Sequence, residues 1–378
     1  MSTTINNPPI RVCFIAPKAY PLFNPDIKAV FGGAEVDLYF LATELAKDEN
    51  FIVSFITADY GQEEIETIAG VRIIKSLNFE KNPLTGAIRV WRAMKAAASQ
   101  IYFQKVASWG TFLVALFCKL HKKTFIYRTA QQIECDGTYL KQHFFTGCAF
   151  RWSLRSAAQV VVQNKIDQKG LEQTISIHSI VIPNAHRLPM LSNAERDTIL
   201  WVGRSAPVKR PELFIDLAGK MPSEHFTMIC QHATGDQSYE ELVARARKVK
   251  NLQFIQRVPF SEIGSFFQRA KVFVNTSDAE GFPNTFIQAC EFAAPILSLN
   301  VNPDSFLDEY NCGICCSGNL ERFADSLGFM LAENRYIEMG RKARKYVEQN
   351  HDIKRTVEEY KKIFRQLYGK ICIREKLD

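Results

Sequence analysis

Short apolar runs alternate with longer amphipathic segments along most of the chain. Arg11–Ala16 (RVCFIA), Phe51–Thr57, Val71–Lys75, Thr124–Arg128 (TFIYR) and Gln159–Gln163 (QVVVQ) read as strands, rich in β-branched and aromatic residues. Between them the spacing predicts helices from Val36 to Lys47, Pro83 to Gln104, Trp109 to Leu120, Phe150 to Ala158 and, briefly, Asn164 to Leu171. Pro17–Phe31 holds three prolines without a period and reads as a loop. Ile180–Asn184 closes the first half, and His186–Asp197 reads as a linker. The second half restarts with Thr198–Val202 (TILWV), a helix over Glu212–Gly219, and strands at Phe226–Gln231, Leu252–Ile255, Lys271–Asn275 and Pro295–Leu299. Charged amphipathic helices follow over Glu333–Gln349 and Asp352–Tyr368. Strand–helix alternation in both halves predicts an α/β fold of two doubly wound parallel sheets.

Size agrees with that division, because 378 residues exceed one ordinary core. The expected domains are 1–188 and 189–355, with a terminal segment 356–378. Hydrophobic residues make up 47% and charged residues 23%, as in a globular protein. The longest apolar stretch, Trp109–Leu120, is too short for a membrane span and predicts a buried helix. The opening residues MSTTINNPPI lack the basic and apolar regions of a signal peptide, so a cytoplasmic protein is expected.

Charge adds a partner. The net charge is +7, with 21 basic and 15 acidic residues up to position 190 and 26 against 25 beyond it. Lys81–Arg155 carries 12 basic residues against Glu134 and Asp136 alone. Such a half suits an anionic partner, either a membrane surface or a substrate. Arg89, Arg92 and Lys95 recur every three residues, giving a solvated basic face or an interfacial helix on anionic lipid. No nucleic-acid motif accompanies the charge, and no nucleic-acid partner is expected. Ten cysteines are scattered, and Cys312–Cys315 has no second pair at metal-ligand spacing, so no metal is expected there.

The chemistry concentrates in a turn between the strand Lys271–Asn275 and the helix that follows. Glu280-Gly281-Phe282-Pro283-Asn284-Thr285 fills this turn. Gly281 permits an unusual φ, Pro283 suits a first helical turn, and Asn284 or Thr285 supplies a capping oxygen. Such a turn lies at the carboxyl end of a parallel strand, where ligands bind, and its helix N-terminus favours an anion. Glu280 and Gln288 stand about two helical turns apart and share a side. Arg204 and Lys209 lie on another strand-to-helix loop, able to reach a diphosphate. Gly32-Gly33-Ala34-Glu35 opens a helix after the first strand, and backbone N–H groups there can approach a phosphate. No GxGxxG fingerprint is present, so the pair is not read as an NAD site.

These blocks resemble the retaining glycosyltransferases of family 4 (glycosyl transferases group 1), in their bacterial surface-polysaccharide form. The family's EGFPNxxxEA signature is matched at Glu280-Gly281-Phe282-Pro283-Asn284 and Ala289, with Gln288 in place of the second acid. The GGAE loop at Gly32, the GR…K loop with Arg204 and Lys209, and Ile180–Asn184 (with Ala185 for the usual Gly) follow in the family's order. Asn302-Pro303-Asp304 looks like the matching segment of some bacterial members. The resemblance implies the two-domain B-type glycosyltransferase fold, its domains facing a cleft. It also implies a last helix crossing back to the acceptor-side N-terminal domain.

The implied reaction moves a sugar from a nucleotide-diphosphate sugar, UDP-sugar favoured, to an acceptor hydroxyl of a sugar or lipid-linked acceptor, in polysaccharide or glycolipid synthesis. It would retain the anomeric configuration. Glu280, Arg204 and Lys209 would be catalytic. Gly32, Gly33, Gly281, Phe282, Pro283, Asn284, Thr285 and Gln288 would hold the donor. No cofactor and no metal are expected, since side chains would neutralise the diphosphate and no DxD triplet is present. Many members carry a His in the loop matching Thr129–Tyr139, which here has none; Asp136 or Glu134 is the substitute candidate for an acceptor contact, and His143 beyond it reads as structural. The expected location is cytoplasmic, at the inner membrane face. Two alternatives share the residues: a nucleotide-sugar epimerase, and a non-catalytic sugar-nucleotide-binding subunit.

Overall fold

The computed structural model describes residues 8–375 except Ala185, Asn193 and Thr234. The opening Met1–Asn7, the Ala185 of the resemblance and Asn193 of the linker lie outside the described residues. The chain divides into two compact units, Met1–His186 with Ile353–Asp378, and Arg187–Asp352.

The first unit runs β1 (Ile10–Ile15), α1 (Tyr20–Phe23), α2 (Gly33–Leu45), β2 (Phe51–Thr57), β3 (Ile65–Ile68), β4 (Val71–Lys75), α3 (Pro83–Ala97), β5 (Ile101–Lys105), α4 (Trp109–Leu120), β6 (Thr124–Arg128), α5 (Thr138–Gln142), α6 (Phe144–Ser156), β7 (Gln159–Val162), α7 (Lys165–Ile175) and β8 (Ser179–Val181). Its sheet has the order β3-β4-β2-β1-β5-β6-β7-β8. All neighbours are parallel except β3 and β4. Helices α3, α4, α6 and α7 bury their apolar sides on one face of this sheet, over Ile15, Tyr102, Tyr127 and Val162.

The second unit runs β9 (Thr198–Arg204), α8 (Pro211–Lys220), β10 (Phe226–Gln231), α9 (Tyr239–Ala246), β11 (Leu252–Ile255), α10 (Ile263–Arg269), β12 (Ala270–Asn275), α11 (Asn284–Glu291), β13 (Ile296–Ser298), α12 (Phe306–Glu309), β14 (Gly313–Cys315), α13 (Leu320–Leu331) and α14 (Arg335–Asn350). Its all-parallel sheet is ordered β11-β10-β9-β12-β13-β14. Two apolar clusters, one on each face, complete a doubly wound layer structure. The chain then enters α15 (Ile353–Glu375), which belongs to the first unit. There Phe364 meets Phe51 and Phe103, and Tyr360 meets Phe103.

Three expectations need correction. The helix from Pro83 stops at Ala97, not Gln104, because Ala98 takes a left-handed φ of 47° and ends it. Ile101–Lys105 is instead β5, the strand between β1 and β6, where Ile101, Tyr102 and Phe103 are fully buried. Pro17–Phe23 is not open loop but helical turns with Tyr20, Leu22 and Phe23 packed inside. Helix α4 is only half buried, with Trp109 and Leu120 exposed at its ends.

Each sheet reverses its winding once. In the second unit the reversal lies between β9 and β12; in the first it lies between β1 and β5. Ligands of open α/β sheets bind beyond the carboxyl ends of strands at such points.

Candidate functional site

In the second unit, β9 and β12 deliver the two loops named from the sequence to neighbouring positions. Strand β12 runs on buried through Thr276 and Ser277, then bends outward at Asp278. Glu280 follows, only 14% exposed in its side chain, so it is not a solvated turn residue. Its Oε1 accepts from Ser277 Oγ at 2.7 Å and from Asn275 Nδ2 at 3.1 Å. Its Oε2 meets Lys209 Nζ at 2.5 Å. Three donors therefore fix one carboxylate. Lys209 closes a 3-10 turn, Pro207–Lys209, on the loop after β9. The neighbouring Arg210 has a left-handed φ of 46° and reaches Asp278 and Glu212. Lys209 and Glu280 thus form one site, although 71 positions separate them.

The turn into α11 differs from expectation in two details. Gly281 does not adopt a positive φ; it is buried, and the chain bends without entering the left-handed region. The N-cap is Pro283, which makes no side-chain cap bond among the described residues, while Asn284 and Thr285 fall inside the helix. A helix N-terminus at this position favours an anion through its dipole. Phe282 faces inward, 5.3 Å from the Phe306 ring and 4.8 Å from His351, and so anchors the turn. Gln288 is half buried on the second turn of α11. Arg204, at the carboxyl end of β9, is exposed and makes no side-chain bond to a described residue.

The remaining candidates belong to the first unit. Gly32 is the N-cap of α2, and its N–H donates to Glu35 Oε2 at 2.8 Å, so Glu35 uses the amide that a phosphate would need. Glu134 is 3% exposed and accepts from Tyr127 Oη, Ala130 N and Ala107 N at 2.8, 2.9 and 3.3 Å. Burial pushes its carboxyl up, against these hydrogen bonds. Glu134 therefore braces its loop, with its oxygens taken by the loop and by Tyr127. Asp136 takes the N–H of Thr138 at 2.8 Å and borders a hollow of about 280 Å³ with Gln132, Lys169 and Gln173. His143 lies beside Tyr139, the ring centroids 4.8 Å apart and the planes tilted by 50°.

One buried group escaped the sequence reading. At the carboxyl ends of β5 and β6, Lys105 Nζ and Arg128 Nε both reach Asp37 Oδ2, at 3.0 and 2.9 Å. Arg128 also donates to Asn184 Oδ1 at 2.6 Å and to the Tyr360 hydroxyl of α15. Burial works to raise the Asp37 carboxyl, but Arg128 and Lys105 outweigh it and hold it below the usual range. Spacing gave no signal, since five separate segments meet there. At Cys312, burial pushes the thiol up to about 12, which keeps it protonated and unreactive.

Comparison with known proteins bears on the family and the fold. Residues 185–350 match the family described as glycosyl transferases group 1. An uncharacterized glycosyltransferase of Haemophilus influenzae is 25% identical over 205 residues, 50% of this chain and 56% of the relative, so the match spans about half of each. Among solved structures, a sucrose-phosphate synthase from Thermosynechococcus elongatus aligns over 96% of this chain and 100% of its own, with TM-score 0.78 and 16% identity. WaaG, a glycosyltransferase involved in lipopolysaccharide biosynthesis, aligns over 93% and 99%, with TM-score 0.69 and 14% identity. A trehalose-6-phosphate protein from E. coli, bound with UDP-2-fluoro glucose, aligns over 94% and 99%, with TM-score 0.70 and 10% identity. At these identities the likeness establishes the fold, that of the B-type glycosyltransferases.

Proposed function

We propose, from the premise that this chain carries a glycosyl transferases group 1 domain, that it transfers a sugar from a nucleotide-diphosphate sugar to an acceptor hydroxyl with retention of configuration. The observation that carries the reading is the Lys209–Glu280 pair at the winding reversal of the second unit. Breaking the donor's C–O bond leaves negative charge on a diphosphate. Lys209, the exposed Arg204 and the N-terminus of α11 supply positive potential for it, and preorganised charge of this kind is often the largest catalytic contribution. Glu280, held by Asn275 and Ser277, keeps lone-pair capacity for a donor hydroxyl and places negative charge where an oxocarbenium-like centre develops. The leaving phosphate takes the acceptor proton on the same face. Gln288 holds the nucleotide by hydrogen bonds. UDP-sugars are favoured as donors, and the charge neutralisation described needs no metal.

The acceptor is membrane-linked in this reading, and the protein works at the inner face of a membrane. No described helix is long and apolar enough to cross a bilayer. Support comes from the layer of α3, α4 and α6, where Leu84, Trp109, Phe144 and Phe145 are 58–76% exposed. Arg92, Lys95, Lys119 and Arg151 are exposed on the same helices. Aromatic and basic side chains on one face suit an anionic interface.

The test is turnover. Purified protein is given single nucleotide sugars with and without a lipid-linked acceptor, and nucleoside diphosphate release is followed, with the product anomer read by NMR. Acceptor-dependent release with retained configuration is expected. Interconversion of the donor without acceptor would instead identify an epimerase, and binding without turnover a non-catalytic subunit.

A further inference from the structure

We infer that Thr276 is a positioning residue for Lys209, acting through a hydrogen-bonded chain that starts at Trp201. The inference rests on the donor-handling role proposed for Lys209. Thr276 is fully buried just beyond β12. Its Oγ1 accepts from the Trp201 indole Nε1 at 2.9 Å and donates to the Lys209 carbonyl at 2.7 Å. A hydroxyl is the smallest side-chain group able to do both at one atom. Valine would fill the same space and do neither.

Each link has a local cause. Trp201 and Gly203 are two apart on β9 and share one side of the strand. A Cβ at Gly203 would lie 2.7 Å from the indole ring, so glycine gives the ring its room. The ring is 2% exposed, and Thr276 is the partner of its N–H. At the far end of these links, Lys209 donates its N–H to the Ala206 carbonyl at 2.8 Å and ends the 3-10 turn before Arg210, whose left-handed φ is unfavourable for a residue with a side chain. A second main-chain bond, Asp278 N to Val208 O at 2.9 Å, lies beside it. The loop after β9 is thereby fastened to the loop after β12 at two consecutive residues, and the ammonium of Lys209 falls on Glu280. Thr276 itself touches neither charged group. It sets where the lysine starts from, and a sub-ångström change in origin is enough to spoil a diphosphate contact.

The experiment maps lysine reactivity. Wild type, Thr276→Val, Thr276→Ser and Trp201→Phe are acetylated briefly with acetic anhydride, and Lys209 modification is measured by mass spectrometry relative to the exposed Lys342. Thr276→Val is expected to raise Lys209 modification about fivefold, as loss of a buried hydrogen bond would, while Thr276→Ser stays within about twofold of wild type. Trp201→Phe should give a smaller rise at Lys209 alone. Unchanged Lys209 reactivity in Thr276→Val overturns the inference. If that variant fails to fold and all its lysines react, Trp201→Phe decides, and no selective change at Lys209 there overturns it as well. A second arm repeats the labelling with UDP. Protection of wild-type Lys209 by UDP, weaker in Thr276→Val and restored in Thr276→Ser, is the expected result. If no nucleoside diphosphate protects wild-type Lys209, the donor reading fails, and the unliganded labelling still judges Thr276 separately.

Discussion

Glu280 separates charge from hydrogen bonding in a way that two substitutions resolve. Glu280→Gln keeps an acceptor for Ser277 and Asn275 but removes the charge facing Lys209. Stability should change by less than about 1 kcal/mol, because the lysine is partly solvated. Transfer should fall about a hundredfold or more, the scale of losing one preorganised electrostatic contact. Glu280→Ala removes the acceptor too, strands the buried Ser277 hydroxyl and leaves Asn275 Nδ2 with Ser277 Oγ as acceptor, so urea denaturation should register a further loss of about 1–3 kcal/mol. Equal stability loss in both variants would mean that the Ser277 and Asn275 bonds contribute nothing. The sequence named Glu280 and Lys209 separately, through their turn chemistry and their resemblance. It gave no sign that they touch, nor that Asn275, Thr276 and Ser277 support them, since polar residues after a strand look alike whether buried or solvated. The burial of Glu134 was hidden for the same reason: a carboxylate on a polar loop looks alike whether buried or solvated.

Helix α15 shows how an element is held by charges that strand patterning does not reveal. Arg128 is fully buried and ties Asp37, Asn184 and Tyr360 together. Tyr360→Phe removes one acceptor from that guanidinium and should cost about 1–3 kcal/mol by urea denaturation. Arg128→Met leaves Asp37 and Tyr360 short of a partner and should cost about 3–5 kcal/mol. A second tie joins Lys361 to Asp48 at 2.8 Å. Burial works to raise the Asp48 carboxyl, but Lys361 and Asn50 outweigh it and lower it to about 2. Its unfolded value is about 3.9, so the stabilisation is complete above about pH 4 and is lost as pH falls toward the folded value. Amide exchange along α15 should therefore accelerate between pH 4 and pH 2 in wild type, and much less in Asp48→Asn. Most strands were legible as apolar runs. Strand β5 was not, because Ala98 and Ser99 end the preceding helix without a glycine or proline to mark the break. The short edge strand β3 lacks a buried face and so carries no apolar run.

Across the whole chain, two doubly wound sheets were foreseeable from the repeated alternation, and the basic first half pointed to an anionic surface. Which helices present that surface depended on their packing: α3, α4 and α6 share one face of the first sheet and leave Phe144 and Phe145 outside. Phe144→Ser with Phe145→Ser should weaken sedimentation with anionic liposomes, and raised salt should weaken it further in both proteins. Equal binding of wild type to neutral liposomes would count against the charge. The claim on which the rest depends is narrower, that the Lys209–Glu280 site of the second unit receives a nucleoside diphosphate. Calorimetric titration of UDP into wild type and Lys209→Ala tests it most directly, with folded state checked by circular dichroism. The account expects saturable binding in wild type, weakened at least about tenfold in Lys209→Ala, as loss of a charge-assisted contact implies. Equal affinity in the two folded proteins would contradict it.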